Sequence, residues 1–129
     1  MEANQRQVGG AHYNSTYQHW DFVLDAKLPY LEGQITKYLS RHRKKNGRQD
    51  LEKALHYAHK LQEAAQARRV TAPAVGGTPL PALAAFLDTI PAADRGAIAA
   101  AVLWRSDADL AQLVQRLTEL LLTTYTGAE

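Results

Sequence analysis

The sequence predicts an all-α protein: a small helical domain built on an antiparallel helical hairpin, followed by a Pro/Gly linker and a short helical C-terminal tail. Three observations predict it. Apolar residues recur every three or four positions along most of the chain, which is the spacing of one helix face. No segment alternates with period two for long enough to demand a strand. Prolines and glycines fall at the edges of the periodic segments, where helices begin and end.

The elements follow in order. Residues 1–11 read as a mobile or extended arm. In "YQHWDFVLDAKL", Trp20, Val23 and Leu24 have near-helical spacing and predict a helix over 18–26. Pro29 breaks the pattern and suits the first turn of the next helix. That helix carries Leu31, Ile35, Tyr38, Leu39 and His42 as one stripe. Asn46-Gly47 is a stop signal, and Gln49 or Asp50 opens a further helix with the stripe Leu51, Ala54, Leu55, Ala58, Leu61 and Ala65. A connection this short predicts an antiparallel pair.

"TAPAVGGTPLP", residues 71–81, holds three prolines and two adjacent glycines and reads as a linker between a domain over 1–70 and a tail over 82–129. The tail gives three helical segments. The second starts at Pro91, with Asp94 in the first turn, where the helix dipole favours an anion. In the third, Ser106 is the N-cap, Asp109 stands three residues on as a variant capping box, and Leu110, Leu113, Leu117, Leu120 and Leu121 form an apolar face for packing against the hairpin or a second copy of the chain.

Charge divides the chain at the same place. Residues 1–70 hold 12 Lys/Arg and 7 Asp/Glu, a balance of +5; residues 71–129 hold 3 and 6, a balance of −3. The chain has no cysteine, which excludes disulfides and thiolate metal sites. No apolar run reaches the roughly 20 residues a membrane span needs. The start "MEANQRQVGG" lacks a signal-peptide pattern. These features predict a cytoplasmic protein.

The positive charge concentrates in "KYLSRHRKKNGRQDLEKALHYAHKL", which has eight Lys or Arg residues. On a helix Lys37, Arg41 and Lys45 fall at i, i+4 and i+8 on one side, with Lys44 beside them. Lys53, Tyr57 and Lys60 are spaced by four and three on the next helix. Across a hairpin the two rows can face one shared hollow. Like charges four apart each cost a helix a few tenths of a kcal/mol, so such rows await an anion, and Arg and Lys suit phosphate oxygens. Tyr13, Tyr38, Tyr57 and Trp20 offer rings on which a base can stack. Against this stands the common outcome for a basic amphipathic helix, a merely solvated face. Tyr38 lies on the apolar stripe and is expected in the core; Trp20 is expected to pack. The five histidines (His12, His19, His42, His56, His59) lack a metal-ligand spacing, and no metal is expected. P-loop, GxGxxG and GxSxG signatures are absent.

The early His12-Tyr13, then Lys37-Tyr38, Arg41, Lys44 or Lys45, and "DLEKALHY" with Asp50, Leu51, Lys53, Ala54 and Tyr57 resemble the small bacteriophage nucleotide-kinase-like (SaV-like) family over residues 10–61. The resemblance implies a phosphotransferase without a P-loop that acts on deoxynucleoside monophosphates, with ATP as phosphate donor, working as a homo-oligomer in the host cytoplasm. His12 and Asp50 would then orient or deprotonate the acceptor, while Lys37, Arg41, Lys44, Lys45, Lys53, Tyr13 and Tyr57 bind the nucleotide. The glycine of the family's turn is displaced in this chain to Gly47, within "RHRKKNG". Two other readings use the same residues: a binder without chemistry that sequesters a nucleotide-derived host immune signal, and a DNA- or RNA-binding module. The modest net charge of +2 and the acidic tail disfavour the last.

Overall fold

The computed structural model describes residues 17–72 and 79–125. Among the described residues it is all-helical, as predicted, with no strand: α1 (His19–Ala26), α2 (Tyr30–Arg41), α3 (Arg48–Gln66), α4 (Pro79–Leu87), α5 (Ala92–Leu103) and α6 (Asp107–Thr124). The expected N-terminal arm and the middle of the expected linker lie outside the described residues.

Local chemistry sets the helix ends. Asp21 Oδ2 accepts the amide of Gln18 at the start of α1, and Pro29, with φ −65°, precedes α2. α2 ends at Arg41, earlier than the sequence predicts, so Lys44 and Lys45 stand on a turn and not on a helix face. Their amides both return to the Arg41 carbonyl. Gly47 closes the turn by donating to the His42 carbonyl at 2.8 Å, with φ +58°, a conformation that favours glycine. Ser106 caps α6 by accepting the Asp109 amide, while the Asp109 carboxylate takes the amide of Arg105, one residue earlier than a standard box.

α2 and α3 pack side by side in opposite senses, since Arg41 meets Asp50 while Tyr38 meets both Lys53 and Tyr57. α6 packs on α3, α5 packs on α6, and α5 packs back on α2. These four helices therefore form a closed ring around one core, to which Ile35 and Leu39, Leu51, Ala54, Ala58 and Leu61, Ile98 and Ala101, and Leu110, Leu113 and Leu117 contribute. Burying each Leu or Ile contributes about 1.5–3 kcal/mol. α6 thus buries Leu110, Leu113, Leu117 and Leu121 in this chain's own core, while Leu122 is exposed, although the composition changes sharply between the two halves.

α1 and α4 pack on each other beside this ring, with the Phe22 and Phe86 rings stacked at 4.5 Å. At α1 a sequence expectation fails. Trp20 and Leu24 are 50% and 74% exposed, and α1 buries Phe22 and Ala26 instead. An eight-residue helix offers two apolar stripes of similar length, and α4 supplies the ring that selects the one carrying Phe22.

Candidate functional site

The cationic rows meet on the ring of Tyr38. Lys37 Nζ lies 5.3 Å from its centroid, Arg41 Cζ 4.9 Å, and Lys53 Nζ, from the neighbouring helix, 5.3 Å. Tyr57 lies nearly parallel to Tyr38 at 6.0 Å and 10°, and Tyr30 meets Tyr57 edge-on at 6.4 Å. Tyr30 is 68% exposed. Hydrogen bonding with Tyr30 is the chief cause that raises the Tyr57 phenol above its ordinary pKa, followed by burial and the nearby phenol charges. Tyr38 is therefore not a core residue: it is half-buried on the outer face of the α2–α3 pair, under three cations. Each cation gains a cation–π attraction there of about 0.5–1 kcal/mol, but the three repel one another.

Arg41 also reaches the other way. Its Nε and Nη2 donate to Asp50 at 3.2 and 3.4 Å. Asp50 is fully buried and accepts as well from the Asn46 amide and side chain. This carboxylate ties the turn to α3 and holds Arg41 in place. Among the described residues neither Lys37 nor Lys53 has an ion-pair partner. Of the residues expected from sequence, Lys37, Arg41, Lys53 and Tyr57 gather around Tyr38, with Asp50 behind Arg41. Lys44 and Lys45 are exposed on the turn, and His12 and Tyr13 lie outside the described residues.

Surface hollows of about 330, 350 and 400 Å³ lie between α5 and α6 and beside Tyr17, and none of the expected site residues lines them. Two features escape sequence reasoning. Tyr30 extends the aromatic row. His19 Nε2 lies 2.7 Å from Thr36 Oγ1, where burial, and then the charge of Lys37, lower its pKa to about 4. His19 is thus neutral at ordinary pH beside the cationic face. Among the described residues no group of three or more His, Asp or Glu side chains could hold a metal ion, and no helix is long and apolar enough to cross a membrane.

A second polar cluster joins the tail to the turn. His42 Nε2 lies 3.0 Å from Asp94 Oδ2, Arg43 donates to both Asp94 oxygens at 2.7 and 3.0 Å, and His42 Nδ1 lies 2.7 Å from the Tyr125 hydroxyl. Burial pushes the Asp94 carboxyl up, but the bonds and charges of His42 and Arg43 outweigh it and hold it below its ordinary value. Arg48 donates to the Tyr125 carbonyl, and the Tyr125 ring lies against Gly47. The turn is therefore clasped from both α5 and the end of α6.

Comparison with known proteins adds one match. A family model described as a protein of unknown function, DUF3310, matches residues 10–59. No curated protein and no solved structure matches the chain. The assignment to the nucleotide-kinase-like family is therefore corrected: the model that matches the motif-bearing stretch is that of a family without a known function.

Proposed function

We propose that this protein is a nucleotide-binding protein whose α2–α3 face holds its ligand without converting it. The single observation that carries this reading is the convergence of Lys37, Arg41 and Lys53 on Tyr38 from two helices. Three cations held within 5.3 Å of one ring centroid raise the local potential. An anion that bridges them relieves their repulsion and gains charge-assisted hydrogen bonds. The phosphates of a nucleotide sit on this cluster, and its base stacks on the exposed Tyr30 at the end of the aromatic row. Binding is favoured over chemistry because Asp50, the candidate base among the described residues, is buried and already accepts from Arg41 and Asn46.

Isothermal titration of the full chain with nucleoside mono-, di- and triphosphates tests the reading, with recovery of the ligand afterwards. Saturable binding, an affinity that falls with salt, and an unchanged ligand support it. Absence of binding at low salt refutes it, and appearance of a phosphorylated product refutes the non-catalytic part.

A further inference from the structure

The same face has a selectivity that follows from what covers Tyr38. Resting on the nucleotide reading above, we propose that the site distinguishes its ligands by the number of phosphate groups and is indifferent to the base.

Two observations lead there. First, the Tyr38 ring is the shared contact of all three cations, so a base stacking on it competes with them. Three cationic heads lie over it, and Tyr57 lies parallel to it at 6.0 Å. A base would have to displace the cations that bind its own phosphates. Second, the heads at the centre belong to two lysines and an arginine, which only donate hydrogen bonds. Such a set reads oxygen-rich anions and has no acceptor with which to sense an exocyclic amine. Among the described residues, stacking on Tyr30 is the contact this leaves for the base, and stacking tolerates every base because each has a π face.

Phosphate number, by contrast, is read strongly. Lys37 projects from α2 and Lys53 from α3, and Arg41 stands between the ring and Asp50. One phosphate group satisfies part of this set. A second reaches the cation the first leaves unpaired.

The test is calorimetry on the full chain with three ligand sets: mono-, di- and triphosphates of one nucleoside; diphosphates of four nucleosides; and inorganic pyrophosphate. The expected result is a gain of about tenfold from mono- to diphosphate, as an added charge-assisted contact gives. Across the four bases the spread is under about threefold, and pyrophosphate binds within about tenfold of the diphosphates. Lys53→Met reduces the mono-to-diphosphate gain, and Lys53→Arg retains it. Circular dichroism confirms that both variants are folded.

The outcomes separate the two readings. If one base binds more than tenfold tighter than the others, base indifference is overturned while nucleotide binding stands. If pyrophosphate binds and nucleotides do not, the nucleotide reading fails and the reading of phosphate groups stands. If affinity does not rise with phosphate number, the proposal fails whatever the base.

Discussion

The indole Nε1 of Trp104 donates to Oε2 of Glu32 at 2.9 Å, joining the end of α5 to the first turn of α2 across 72 residues of sequence. Both residues are buried. Burial pushes the Glu32 carboxyl above its ordinary pKa, and the bonds from Trp104 and the backbone offset this only in part. The unfolded chain releases this proton at lower pH than the folded one, so stability is full below the unfolded pKa and falls as pH rises through the folded pKa. Glu32→Gln keeps an acceptor for Trp104 and removes the titration. Urea denaturation should show the variant about 1 kcal/mol more stable at pH 8, with the gain vanishing near pH 4. A variant less stable at pH 8 would show that the ionised carboxylate is needed.

The clasp around Asp94 behaves in the opposite sense. Its carboxyl is held low by His42 and Arg43, so its contribution is present above the ordinary carboxylate range and lost as pH falls through the folded value. Asp94→Ala leaves Arg43 and the buried His42 without their acceptor and should cost roughly 3 kcal/mol at pH 7. Tyr125→Phe removes one hydroxyl from the same cluster and should cost about 1 kcal/mol. Equal losses in the two variants would mean that the carboxylate contributes no more than the hydroxyl.

His19 gives an acid-sensitive step of its own. The folded chain protonates it at about 4, against 6.5 for an unperturbed histidine. Between these values unfolding takes up a proton, so stability falls as pH drops from 6.5 to 4, by at most about 3 kcal/mol, and the term is constant outside that window. His19→Gln, which keeps a group able to bond Thr36, should flatten the stability profile across that window. An unchanged slope would place the acid sensitivity elsewhere.

These contacts show where sequence reasoning stops. The stripe Leu110, Leu113, Leu117 and Leu121 and the Ser106 cap are legible because both depend on residues three or four apart. The stop at Gly47 is legible because its φ of +58° calls for glycine. Glu32 with Trp104 and His42 with Asp94 are not legible, since partners 72 and 52 residues apart leave no local pattern. Tyr38 shares the spacing of Ile35 and Leu39, yet it sits at the margin of the α2–α3 seam, where Lys53 and Tyr57 meet it. Periodicity finds the apolar stripe but not its edge, and the candidate site lies on that edge.

Asp50 provides the sharpest separation between holding the site together and acting in it. The carboxylate is fully buried, accepts from Arg41 at 3.2 and 3.4 Å, and accepts from Asn46 on the turn. Asp50→Asn keeps the shape but removes the charge that balances Arg41, and should destabilise the fold by about 2 kcal/mol. It also releases a guanidinium toward the Tyr38 face and makes the local potential more positive. Phosphate binding by the folded variant should therefore be unchanged or up to about tenfold tighter, measured by calorimetry with inorganic pyrophosphate. If Asp50 served instead to orient the ligand directly, the folded variant would lose binding, and a purely supporting role for this carboxylate, behind Arg41 and out of reach of the ligand, would be wrong.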